Sequence, residues 1–199
     1  PYQVDAALQG FGFAMGPFRM YDVVGIDLEW RARELAGEGQ DDPYVQIDNR
    51  LCELGRFGQK SRQGYYRYAE GSRQAEHDPQ VDALVQRESE RLGYQRRDIG
   101  TEEILERCLL ALVNEGAKIL QEGMAESSTD IDTVYLNGYG FPAEVGGPMT
   151  WADRQGLPAI HDRLRALAER HGEHWKPAEL IESLATVGGR FVDFKKKEA

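Results

Sequence analysis

Apolar residues recur at helical spacing along most of the chain, and the breaks between them fall at glycine and proline. Residues 4–9 predict the end of a short helix after Asp5, and the glycine-rich passage 10–16 predicts a bend. Pro17 has no N–H to lose in a first helical turn. It should open a helix that carries Met20, Val23 and Val24 inward and stops at Gly25. Asp27 is placed to cap the next helix, with Leu28, Trp30, Arg31 and Leu35 defining its faces and Gly37 ending it. Val45, Ile47, Leu51 and Leu54 mark a helix around 44–54. A turn region, 55–64, then delivers Tyr65-Tyr66-Arg67-Tyr68, an alternating aromatic run that reads as a short strand. Asp78-Pro79 forms an N-cap and first-turn pair for a helix bearing Val81, Leu84, Val85 and Leu92. The longest helix, about 102–122, shows a broad stripe of Ile104, Leu105, Cys108, Leu109, Leu112, Val113, Ala117, Ile119 and Leu120. So wide an apolar face implies burial between other helices. Helices from Pro148 to Gly156, from near Pro158 (Ile160, Leu164, Leu167) and from near Pro177 (Leu180, Ile181, Leu184) complete an all-α pattern.

The pattern repeats. Gly10-Phe11-Gly12-Phe13-Ala14-Met15-Gly16-Pro17-Phe18 returns as Gly138-Tyr139-Gly140-Phe141, a short insertion, and Gly147-Pro148-Met149. An aspartate follows each proline at the same distance, Asp22 and Asp153, and Val4-Asp5 and Ile131-Asp132 lead into the two copies. Each copy ends on glycine and an aromatic run, Gly64-Tyr65-Tyr66 and Gly189-Arg190-Phe191. One supersecondary unit is therefore used twice. The expected organisation is a first repeat over 1–70, a linker with one helix over 71–100, and a second repeat over 101–199, the two packed together and each closing on a short aromatic strand. Only the second copy has a long helix ahead of its motif. The first copy's long helix is expected upstream of Pro1, and the chain, which lacks an initiator Met, is expected to begin inside a longer polypeptide.

Composition narrows the function classes. A net charge of −10 argues against binding a phosphate backbone, which requires clustered cations, so no nucleic-acid partner is expected. No apolar run is long enough for a membrane span, and the first residues lack the basic flank and apolar core of a signal peptide. Cys52 and Cys108 lie alone in separate helical patterns, which fits two part-buried thiols in a reducing, cytoplasmic setting. The Lys195-Lys196-Lys197 run reads as a solvated tail, and the ending Lys-Glu-Ala is not a peroxisomal Ser-Lys-Leu type signal.

Candidate chemistry is sparse. Gly10-x-Gly12-x-x-Met15-Gly16 imitates a dinucleotide fingerprint, but its third glycine is one place late and no strand precedes it. Gly55-x-x-Gly58-x-Lys60-Ser61 has the outline of a P-loop with the wrong spacing. Arg56, Lys60 and Arg62 nevertheless form a local basic patch, which reads either as a solvated turn or as a contact for a coenzyme phosphate. His171 and His174 could share one helical turn, yet no third and fourth ligand stand at zinc spacing, so no metal site is assigned. No catalytic residue can be assigned from the sequence alone.

Gly10 to Asp27, and Gly58 to Tyr68 with its Lys60-Ser61-x-x-Gly64-aromatic ending, resemble the C-terminal helical domain of 3-hydroxyacyl-CoA dehydrogenases. Leu112 to Gly156 is similar to the second, degenerate copy of that domain in multifunctional fatty-acid β-oxidation enzymes. The resemblance implies oxidation of 3-hydroxyacyl-CoA to 3-oxoacyl-CoA by NAD. It places the NAD-binding Rossmann domain, its catalytic His–Glu pair and a catalytic Asn upstream of Pro1, with an enoyl-CoA hydratase region further upstream in the multifunctional enzymes. No bound cofactor is then expected for this chain, and Asn114 is read as structural. The resemblance further implies that Met15, Gly16, Pro17 and Phe18 lie near the acyl part of the substrate. A helix N-terminus there would offer partial positive charge to a thioester or an anion. The competing reading is a non-catalytic helical dimerisation module, since single-repeat relatives form a homodimer through this domain. An all-α domain after a Rossmann fold in dehydrogenases of small hydroxy acids is a third reading, disfavoured by the paired Gly-Pro motifs.

Overall fold

The computed structural model describes residues 1–39 and 41–195. The described residues form ten α-helices joined by turns and single 3-10 turns, with isolated bridges in place of a sheet. The fold is all-α. It divides into two compact units, one comprising residues 1–7 and 15–99, the other residues 8–14 and the chain from Gly100 onward.

In the first unit, α1 (Tyr2–Phe11) contributes its opening turns. Helix α2 (Pro17–Val24) starts on its proline and ends at Gly25, as the sequence predicts. Helix α3 (Asp27–Ala36) ends on Gly37 in the left-handed conformation. Helix α4 (Gln46–Glu53) follows a 3-10 turn at Pro43–Val45, and α5 (Pro79–Arg91) is capped by the Asp78 carboxylate accepting from the Gln80 amide. Ile26, Leu51, Cys52, Tyr65, Val81 and Leu84 form the core.

Two positions expected inside, Val23 and Val24, are exposed. Leu28, Leu35 and Leu54, apolar positions of the next two helices, are exposed as well. The inward position of α2 belongs instead to Asp22, which is almost completely buried. Its carboxylate accepts from the Tyr65 and Tyr66 amides at 2.8 and 2.9 Å and from the Tyr68 hydroxyl at 2.9 Å. A buried carboxylate satisfied by three donors displaces the valines. The same bonds explain why residues 65–68 form no strand: two of their amides turn to a side chain rather than to a neighbouring chain segment. Asp27 caps no helix. It is the first residue of α3 and pairs with Arg31 and Lys60.

The second unit is built on α6 (Thr101–Glu122), which ends on left-handed Gly123. Helix α7 (Ser128–Gly138) opens with a capping box between Ser127 and Asp130. Helices α8 (Pro148–Gln155), α9 (Leu157–His171) and α10 (Glu179–Val187) follow. Leu110, Val113, Ala117 and Leu120 of α6 are buried against Met149, Leu157, Ile160, Leu164 and Ile181. Phe191–Asp193 is a 3-10 turn, so the second aromatic strand is not formed either. Its amides follow the first copy's rule, with Phe191 and Val192 donating to Asp153 at 2.7 and 3.1 Å.

Candidate functional site

The Gly-Pro turn at the head of α2 is held by one carboxylate. Asp5, buried on α1, accepts from the Phe18 and Arg19 amides at 2.9 Å each and from the Tyr66 hydroxyl at 2.7 Å. Gly16 is buried so tightly against Asp5 that a Cβ there would collide with that side chain. The second copy repeats the arrangement. Asp132 of α7 accepts from Met149 and Thr150 amides at 2.8 and 3.0 Å, and Gly147 lies against it with no room for a Cβ. The free amides at these helix N-termini are therefore already paired with an internal anion. This corrects the sequence expectation that the head of α2 offers positive charge to a thioester or an anion.

Met15, Pro17 and Phe18 are half-buried around this turn. Pro17 and Phe18 line a cavity of about 350 Å³ with Tyr21, Tyr44, Ile47, Asp48, Tyr65 and Val85. Met15 and Gly16 are not part of its lining. The Phe18 and Tyr65 rings lie 4.6 Å apart. The Tyr65 hydroxyl donates to Asp48. Burial pushes the Asp48 carboxyl upward, against the opposing effect of that hydrogen bond, and pushes the Tyr65 phenol well above its ordinary range. The cavity is thus apolar with one self-satisfied polar pair, suited to an apolar occupant. Sequence reasoning missed Tyr21, Tyr44, Ile47 and Asp48 as lining residues. Ile47 carried a signal as an apolar helix position, but nothing in the pattern distinguishes a cavity wall from core.

The other candidates resolve into structure. Arg56 is buried, donates to the Gly64 carbonyl at 3.0 and 2.8 Å, and pairs with Asp78 at 2.7 Å. Lys60 pairs with Asp27, and Arg62, left-handed at φ 60°, reaches Glu70. The basic patch is therefore not a free cluster. Ser61 Oγ accepts from the Phe57 amide at 2.8 Å within its own turn. Gly172, at φ 96°, ends α9 between His171 and His174, so one helical turn does not carry both. No group of three His, Cys, Asp or Glu side chains among the described residues could hold a metal. Asn114 accepts from the Ala178 amide at 2.8 Å and donates to the Lys176 carbonyl at 2.9 Å, tying α6 to the segment before α10.

These residues do not fit a dinucleotide either. The Gly10-to-Gly16 passage follows a helix rather than a strand, and the Asp5 carboxylate stands where a pyrophosphate would have to sit.

Two matched sets of carboxylate ties fix this helical unit twice, and comparison with known proteins gives the unit a family. The family model of the 3-hydroxyacyl-CoA dehydrogenase C-terminal domain matches residues 1–68 and 104–191. The chain belongs to that family. It is 41% identical over 204 residues to a peroxisomal bifunctional enzyme of Danio rerio, covering 94% of this chain and 28% of that protein. A fatty acid oxidation complex subunit alpha from Idiomarina loihiensis is 31% identical over 190 residues, covering 94% of this chain and 26% of that protein. The crystal structure of the dehydrogenase part of multifunctional enzyme 1 from C. elegans superposes with a TM-score of 0.72 at 26% identity, covering 92% of this chain and 41% of that one. The chain spans little more than a quarter of the length of the curated relatives it matches. No helix among the described residues is long and apolar enough to cross a membrane.

Proposed function

We propose that this chain is the C-terminal substrate-cleft and association region of an NAD-dependent 3-hydroxyacyl-CoA dehydrogenase of fatty-acid β-oxidation. The observation that carries the reading is the double family match, shared with relatives that extend far beyond the matched region. The reaction would convert 3-hydroxyacyl-CoA to 3-oxoacyl-CoA. NAD, which accepts the hydride in that chemistry, would be held by a domain outside this chain. Met15, Gly16, Pro17 and Phe18, at the head of α2, would form one wall of the acyl cleft. What this chain contributes is shape: Asp5 fixes the turn, and Gly16 lets α1 and α2 approach without a side chain between them. The cytoplasmic setting read from the cysteines is the compartment proposed for this chain, although one set of relatives carries a peroxisomal name.

The test is turnover. The 199-residue chain should show no NAD reduction with 3-hydroxyacyl-CoA, whereas a polypeptide that adds the dinucleotide-binding domain should. In that longer protein, Met15→Ala should raise KM for long acyl chains more than it lowers kcat, because a wall contact binds ground and transition states alike. Turnover by the short chain would overturn the assignment. Light scattering reads the association role: a stable homodimer supports it, and a monomer supports pairing of the two repeats within one chain.

A further inference from the structure

Helix α6 passes to α7 through a turn that leaves large apolar side chains in water. Gly123 ends α6 in the left-handed conformation at φ 77°, and the Met124 amide donates back to the Ile119 carbonyl at 3.0 Å. The capping box of Ser127 and Asp130 fixes the start of α7. Between these anchored ends opens a groove of about 540 Å³, lined by Ile119, Met124, Ile131 and Val134 together with Tyr135 and Tyr139. Met124, Val134 and Tyr139 are exposed. The polar side chains that line the groove are the two phenols and two carboxylates, Glu126 and Asp130, and among the described residues no Lys, Arg or His lines it. Glu126 has no hydrogen-bond or ion-pair partner among the described residues. Asp130 commits only Oδ2, to the Ser127 amide at 2.8 Å and the Ser127 hydroxyl at 2.9 Å, which leaves Oδ1 open. Lys118, next to Ile119 in sequence, is already paired with Glu115.

We infer that this groove binds an organic ammonium ligand, an amine or quaternary ammonium carried on an aryl or alkyl body. The apolar body leaves water against the isoleucines, Met124 and Val134. The cation is met by unpaired carboxylate oxygens and by the faces of Tyr135 and Tyr139, whose rings lie 5.2 Å apart and tilted by 35°. Burial above all, with Tyr139 and Glu115 adding to it, pushes the Tyr135 phenol above its ordinary range, so a further negative charge is disfavoured at this ring. The volume lies within the range of small-ligand clefts, about 300–1,000 Å³. Because the helix cap and the capping box hold both walls, little has to be ordered on binding. A coenzyme A thioester, which carries phosphates, meets only like charge here. The groove is therefore a site apart from the acyl wall at the head of α2, and the inference does not depend on the dehydrogenase reading.

The test titrates the 199-residue chain, by calorimetry, with probes that share one body and differ in charge: phenylbutylammonium, phenylbutanol and phenylbutyrate. The ammonium should bind saturably and about tenfold more tightly than the carboxylate, since the tyrosine faces and the carboxylates favour only the cation. Val134→Lys, at an exposed position of α7, places an ammonium of the protein's own in the groove and should abolish the binding. Glu126→Gln leaves the capping box intact and should weaken the binding a few-fold, as expected for an exposed ion pair. Circular dichroism checks that both variants keep the wild-type helix content. Equal affinity for all the probes, no saturable binding of the ammonium, or ammonium binding that survives Val134→Lys would overturn the inference. So would a dimer, formed without any probe, that Val134→Lys dissolves, which would give the groove to a second copy. None of these readouts measures turnover, so their failure is separable from failure of the proposed activity.

Discussion

Four aspartates hold the two repeats in shape, and each does so by accepting backbone amides rather than by meeting a cation. Asp5 and Asp132 clasp the heads of α2 and α8, and Asp22 and Asp153 clasp the closing turns. Burial pushes the Asp22 and Asp132 carboxyls upward, while the amides and hydroxyls that donate to them oppose the shift. Replacing Asp22 by Asn puts an NH₂ group against an amide donor and should cost about 1–3 kcal/mol, the range for leaving buried polar groups unpaired, read by urea unfolding. Gly64→Ala should destabilise through the same locus. A Cβ there would overlap the Asp22 carboxylate, and overpacking of this kind costs about 1–3 kcal/mol. Cys52 gives an independent check on the first core. Burial, with the Asp48 and Asp27 charges, pushes its thiol up to about 12. It should resist alkylation by iodoacetamide at pH 8 until the first unit unfolds, because the thiolate is the nucleophile. The aspartates were visible in the sequence as positions repeated around the prolines, but their burial was not. A carboxylate in an apolar stripe reads as surface until its donors, distant in sequence, are brought to it.

At the scale of elements, the Arg56–Asp78 pair joins the turn after α4 to the head of α5. Burial works to raise the Asp78 pKa, but the Arg56 guanidinium and the Gln80 amide outweigh it and hold the carboxyl below its usual range. Its stabilising contribution is therefore present above the ordinary carboxylate pKa and is lost as pH falls through the depressed value. In Arg56→Met the burial effect is unopposed by the guanidinium and the carboxyl moves upward. The variant should lose about 3–5 kcal/mol at neutral pH, as expected when one partner of a buried pair is removed. The deficit should shrink on acidification below about pH 4, once wild-type Asp78 loses its advantage. Thermal unfolding at pH 7 and at about pH 3 measures both. Helix starts at Pro17, Pro79 and Pro148 and stops at Gly25, Gly37 and Gly123 were legible, because proline and glycine act through local backbone geometry. The aromatic strands were not, because a strand requires a partner for its amides, and those of Tyr65, Tyr66, Phe191 and Val192 found carboxylates while Arg67 kept an isolated bridge to Glu76.

Over the whole molecule, the candidate site was legible in name and not in chemistry. The Gly-Pro turn stood out as a repeated motif, yet its helix N-terminus proved to be occupied by Asp5, and the basic turn beside it proved to be a framework of internal pairs. If the turn serves as a cleft wall, it does so through shape. Asp5→Asn, in a polypeptide that includes the dinucleotide-binding domain, should then lower both thermal stability and kcat/KM, with wild-type-like pH dependence of kcat, since a positioning residue transfers no proton. The sequence by itself determined that the chain is helical, that one unit occurs twice, and to which family it belongs. Those properties reside in periodicity, in backbone-restricting residues and in motif order, all of which are local or countable along the chain. Only the tertiary structure decided which polar groups lie inside, which apolar residues are left outside, and where a cavity opens over Phe18 and Ile47. Each of these depends on what a side chain meets across many residues of sequence, and burial is a property of that meeting rather than of the residue.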